Sequence, residues 1–180
     1  MHGFSLLESI LVLMLVAIFS LSMYPSCKIL ITYSHHLILQ ATLQHALDAS
    51  REFALKEKML IGLGVCDDLS DQQKTLLLIF HDDGSLHSPC DAKKIFDRIP
   101  LTLYGGHLVW HHFLHTRSYL RFFPNHEGAD NGSISYCRAN DQDPYFAMVI
   151  NRIGVSHLSF RNSDGKIQDE RGKNIQCVSG

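Results

Sequence analysis

Glu8 is the residue whose type and position most need a chemical explanation. It ends the run Gly3-Phe4-Ser5-Leu6-Leu7-Glu8, near the head of an apolar segment that lasts to Tyr24. A carboxylate inside a bilayer costs about 2.5–3.5 kcal/mol on insertion scales, so it normally has a partner and a purpose. A cut after Gly3 would leave a cationic amine on Phe4, four positions from Glu8. An ordinary secretory signal explains the segment less well, because such signals open with a positive region. Here no Lys or Arg precedes Lys28. A plain signal anchor would have no reason to keep Glu8.

Other residues that could do chemistry are less organised. Of twelve histidines, His107, His111, His112 and His115 fall within nine residues. Metal ligands must converge on one point. On a strand, His107, His111 and His115 share a face with Val109 and Phe113, while His112 points the other way. His107 and His111 would then stand roughly 13 Å apart, so no metal site is expected. Exposed histidines that titrate near neutrality are the expectation. Asp82, Asp83 and Asp91 suggest paired acids, but Asp82-Asp83-Gly84 reads more simply as a turn. The chain has no Gly-x-Ser-x-Gly, no phosphate-binding glycine loop and no His-Glu-x-x-His. No enzymatic activity and no cofactor are expected.

Five cysteines, at 27, 66, 90, 137 and 177, are many for a reducing compartment. Cys27 lies at the end of the apolar segment and is the odd one out; the other four allow three connectivities. The formal charge is -2 and charged residues make up 19%, so no general basic field invites nucleic acid.

The elements that must position these residues follow from periodicity. From Phe4 to Tyr24 a helix would rise about 31 Å, enough to cross a hydrocarbon core. Pro25 removes a backbone donor and would kink or loosen the helix there. Beyond it, Leu39, Leu43, Leu47 and Phe53 recur at helical spacing, with Gln40, Gln44, Asp48 and Arg51 between them. One long helix to about Lys58 is predicted, its second half laying an apolar face on a globular domain.

After Lys58 the pattern becomes β-prone: residues 59–66, 75–81, 107–115, 118–123, 133–138, 146–151 and 155–161. Asp83-Gly84, Gly105-Gly106 and Asp164-Gly165 punctuate these runs, and Asp164-Gly165 signals a hairpin between Phe160 and Ile167. Residues 67–73 read as a surface loop. The fold class predicted is α+β: a long N-terminal helix packed on an antiparallel β-sheet or sandwich. The expected organisation is a transmembrane helix over 4–24, an amphipathic continuation over 25–58 and a β-rich globular domain over 59–180; with the resemblance described next, 1–3 become a leader and 59–180 an extracytoplasmic domain.

The N-terminal run resembles the class III signal of type IV pilins and pseudopilins. The resemblance implies that a prepilin peptidase cuts between Gly3 and Phe4 and methylates Phe4. Glu8, the fifth mature residue, would then pair with the terminal amine of a neighbouring subunit. Pro25 falls where pilin-like proteins often carry a proline. The leader Met1-His2-Gly3 lacks the basic residues usual in such leaders, which leaves the true start codon open. Lys28 and Lys56 give no positive-inside signal, so orientation rests on the resemblance: N-terminus cytoplasmic, C-terminal domain periplasmic.

Further along, Leu120-Arg121-Phe122-Phe123-Pro124, Gly128 and Asn131-Gly132-Ser133-Ile134-Ser135-Tyr136-Cys137 are similar to the GspH/FimT family of minor pseudopilins and minor pilins. Ala49-Ser50-Arg51-Glu52 through Val65-Cys66 is similar to that family's helix end and first strand. The likeness implies a pilin-like fold, with Cys66 paired to Cys90 and Cys137 to Cys177. It implies a minor pseudopilin of a type II secretion system, with other pseudopilins or pilins, prepilin peptidase and the inner membrane as partners. A FimT-like minor pilin for fibre assembly or DNA uptake is the alternative, and a stand-alone single-pass receptor is the third reading. Some FimT-like proteins are thought to bind DNA through a Gly-Arg-x-Arg patch. Here Gly154 is followed by Val155 and His157 in place of its arginines. Arg152, Arg161, Lys166, Arg171 and Lys173 remain candidates for weak DNA contact against Asp164, Asp169 and Glu170, and a solvated mixed-charge tail is the expectation.

Overall fold

The computed structural model describes residues 6–67, 75–84, 88–112, 118–125, 128–139, 141–169 and 172–177, except for the side chains at 21–26, 28, 29 and 112. Helix α1 (Leu6–Glu57) is continuous through Pro25. It stops where Lys58 turns left-handed at φ 52, a common way to end a helix. The chain divides into two compact units, Met1–Gln40 and Ala41–Gly180.

In the second unit α1 buries Leu43, Ala46, Leu47, Ser50 and Ala54, an i, i+3, i+4 stripe. Ser50 hides its hydroxyl by donating to the Ala46 carbonyl at 2.7 Å. Of the polar residues between the apolar positions, Gln40 is buried and Gln44 accepts from the Ser156 hydroxyl at 3.0 Å.

Eight strands follow: β1 (Ile61–Asp67), β2 (Thr75–His81), β3 (Ile95–Leu101), β4 (Gly106–His112), β5 (Tyr119–Phe122), β6 (Gly132–Arg138), β7 (Phe146–Ile150) and β8 (Ser156–Ser159). They form two sheets, ordered β3-β2-β1-β5 and β4-β6-β7-β8, and every pairing is antiparallel. The helix thus packs on antiparallel sheets, and the fold is α+β. Phe53 stacks on Phe96 beside β3 at 5.4 Å, while Gln44 reaches β8, so one helix meets both sheets.

Strand β3 was not expected from sequence. Asp97, Arg98 and Pro100 break its apolar pattern, and a proline is tolerated because β3 is an edge strand. The Asp164-Gly165 hairpin is a turn without a ladder. Asn162 takes the Asp164 and Lys166 amides on its side-chain oxygen, and Gly165 has φ 74. Among the described residues no strand follows, because Ile167 packs instead on Ala147 and Val149.

Register assigns the faces. On the first sheet Ile61, Leu63, Leu77, Ile79, Leu120 and Phe122 share one face and are all buried. The opposite face holds Leu78, Phe80 and Tyr119, with Cys66, Leu76, Ala92 and Ile95 against them. A short 3-10 turn, Pro89–Asp91, lies here, tied by the Cys66–Cys90 disulfide. The second sheet has Ile134, Tyr136, Phe146, Met148 and Ile150 on one face. On the other are Ser133, Ser135, Ala147 and Val149. Both faces of β6 and β7 are buried. Ile167 and Ile175 cover the second of them, and Cys137–Cys177 pins that segment in place. Each sheet therefore has one face closed by a segment held with a disulfide, and the pairing is the one the family resemblance implies.

Candidate assembly site

Glu8 stands in the first turn of α1, where the helix macrodipole favours a negative charge. The large side chains around it are apolar and exposed. Leu6, Leu7, Ile10, Leu11, Val12, Leu13, Met14, Leu15, Val16, Ile18 and Phe19 each expose 45% or more of their surface. A helix apolar all round belongs inside lipid or among other helices. Its hydroxyl chemistry agrees with that demand. Ser20 donates to the Val16 carbonyl at 2.8 Å, and further along Ser34 donates to Ile31 at 2.7 Å. Neither hydroxyl then needs water.

Among the described residues, no helix is long and apolar enough to cross a membrane. The first uninterrupted run of described side chains extends from Leu6 to Ser20, about 22 Å at 1.5 Å per residue and short of a hydrocarbon core of about 30 Å. Positions 4–5 and the side chains at 21–24, the two ends of the span expected over 4–24, lie outside what is described, as do Gly3 and Phe4 themselves. Cys27 is exposed and is the free cysteine.

The C-terminal cationic residues differ in their surroundings. Arg161 donates to the Pro144 and Asp143 carbonyls at 3.1 and 3.2 Å, which ties it to the loop before β7. Arg152, Lys166 and Lys173 are exposed, and Arg171 lies outside the described residues.

The histidine segment divides. His107 is exposed on β4, and His115 lies outside the described residues. His111, expected to be exposed, is partly buried, and its Nε2 has no hydrogen-bond partner among the described residues. Burial holds its pKa below the ordinary value of 6.5; a hydrogen bond with the Gln176 backbone opposes that shift, and the Lys173 charge adds to it. No group of three metal-ligating side chains is gathered among the described residues. The physical reason for the correction at His111 is the C-terminal segment, which lies over its face of the second sheet.

One constellation escaped the sequence reading. Arg121 on β5 donates to both carboxylate oxygens of Asp130, at 2.7 and 3.2 Å, and the hydrogen bond to Asp130 is the main reason its pKa is raised further. The Asp130 amide donates to the Arg121 carbonyl, Phe123 donates to Gly128, and Ala129 donates to Arg152. The Phe-x-Pro return between β5 and β6 is thereby locked against the turn before β8. Opposite charges nine residues apart across that return were the only local signal.

Comparison of the chain with family models, with curated proteins and with solved structures finds no match.

Proposed function

We propose that this chain is a minor pseudopilin of a type II secretion system, and that it works by assembly rather than catalysis. The observation that carries the reading is a helical segment of exposed apolar side chains headed by Glu8, directly after Gly3-Phe4. The anchor is stored in the inner membrane, with the β-rich domain on the periplasmic side. Prepilin peptidase cuts after Gly3 and methylates Phe4. The subunit then leaves the bilayer for a helical stack, where Glu8 neutralises the Phe4 amine of its neighbour.

Two ionised groups in hydrocarbon are each costly; paired, they remove most of that cost, and only the correct axial stagger pairs them. A mis-staggered subunit would forgo this pairing, so the pair sets register as well as adhesion. The disulfide-held domain supports the periplasmic assignment, since such bonds persist in oxidising compartments.

The test is in-membrane crosslinking of the full chain, with mass spectrometry of the crosslinked neighbours. Secretion pseudopilins as neighbours are the expected result. Pilus subunits as neighbours would move the protein to a fimbrial or DNA-uptake fibre, and the absence of either would contradict the reading.

A further inference from the structure

We infer that β8 is an acceptor edge, onto which an extended acidic segment of a partner protein adds as a fifth strand of the second sheet. The inference uses only residues of the globular unit and does not depend on the assembly reading. β8 is outermost in the order β4-β6-β7-β8. An edge strand presents the N–H and C=O of alternate residues outward, and proteins usually blunt such edges with bulges, prolines, lysines or a covering segment.

The edges of the other sheet are blunted. β3 carries Pro100 and a register shift opposite Ile79/Phe80, and β5 is closed by the Phe122–Ala129 bridge and the Arg121–Asp130 pair. Among the described residues β8 has neither device; its Ser156 and Ser159 hydroxyls donate to Gln44 and to the Gln168 carbonyl. Its ladder with β7 is regular, and Ser156-His157-Leu158-Ser159 contains no Lys and no Pro.

The surroundings specify the occupant. Ile153, Val155, Leu158 and Phe160 are exposed by 60, 44, 37 and 60%; alternation along the strand sets Leu158 and Phe160 on one face, and four exposed large apolar side chains within eight positions are denser than the scattered single residues that need no explanation. Residues 151–161 contain Arg152, His157 and Arg161 and no Asp or Glu. An extended segment that alternates aliphatic and carboxylate side chains would satisfy the backbone edge, the apolar cluster and the charge together, as in strand addition. A second copy of this chain fits worse, because antiparallel pairing of β8 with itself sets the flanking Arg152 and Arg161 of one copy toward those of the other. Duplex DNA also fits worse: phosphate contacts are made by charges, and here four exposed apolar side chains stand among few cations.

The experiment is a titration of the full chain, in mild detergent, with a synthetic octapeptide of alternating Glu and Val, followed by amide hydrogen exchange. The expected result is about tenfold slower exchange in residues 156–159, weakening as salt rises from about 0.05 to about 0.5 M. Arg152→Glu and Phe160→Ser change exposed side chains, and each should lower the peptide's affinity severalfold with an unchanged circular dichroism spectrum. No protection at millimolar peptide would overturn the inference. So would equal protection by a Lys–Val octapeptide, preferential binding of duplex DNA, or concentration-dependent protection without any peptide.

Discussion

Gly128 occupies the return between β5 and β6 at φ 85, and a Cβ there would lie 2.5 Å from Ile153 Cα and closer still to the Arg152 carbonyl oxygen. Gly128→Ala therefore meets two costs. The left-handed conformation costs an L-residue about 1–2 kcal/mol. Displacing neighbouring backbone costs about 1–3 kcal/mol, as in other overpacked sites. The reduced entropy of the unfolded chain offsets about 0.4–1 kcal/mol, which leaves a net loss of about 2–4 kcal/mol. For a chain of this size each kcal/mol lowers Tm by about 2–4 °C, so the expected drop is about 5–15 °C. Gly165→Ala is the matched control, since Gly165 has φ 74 with nothing within 4 Å of an added Cβ. It should lose about 1 kcal/mol and under about 4 °C. Fluorescence of Trp110, the single tryptophan, reports unfolding of the second sheet without the helix signal. Equal drops for the two variants would refute the close crossing at Gly128 and the role assigned to the Phe-x-Pro return.

Removing the disulfides by paired Ser substitutions should cost about 3.5 kcal/mol for Cys66–Cys90 and about 3.9 kcal/mol for Cys137–Cys177 from loop closure alone, given sequence separations of 24 and 40. Denaturant titration of the two double variants checks this, and losses under about 1 kcal/mol would contradict it. Reduced Cys137/Cys177 should also speed proteolysis within 160–177 while leaving 75–101 protected. His111 contributes a pH dependence whose sign follows from its lowered pKa. The unfolded chain gains a proton as pH falls through about 6.5 and the folded chain does not, so stability is full above that value and declines toward the lower folded pKa. His111→Gln should flatten that part of the stability-pH curve, and an unchanged curve would contradict the burial argument. Glu8→Ala should abolish incorporation into filaments without altering the Tm of the domain, as read by crosslinking and by Trp110 unfolding; normal incorporation would remove Glu8 from the mechanism.

Much of the fold was legible in sequence because its signals are local. The helix announced itself through apolar spacing and ended within a residue of the expected position. Strands such as Thr75–His81 and Ser133–Arg138 read as short β-prone runs between turn residues. Glu8 stood out because a lone carboxylate in an apolar run is costly wherever it sits. What was missed depends on distant residues. Ser133 and Ser135 alternate with Ile134 as if exposed, yet they are buried, because a segment more than thirty residues later, pinned by Cys137–Cys177, lies over their face. His111 is buried by the same segment. β3 was hidden by Pro100 and its charged neighbours, and only its edge position makes them tolerable. The Arg121–Asp130 pair required knowing that the chain doubles back tightly at Gly128.

The intact mass and N-terminal sequence of the protein purified from membranes test most directly whether this helix is a processed assembly anchor. A chain that lacks Met1-His2-Gly3 and begins with a singly methylated Phe4 is the expected result. A chain that retains Gly3, or begins at Phe4 without the methyl group, would contradict it.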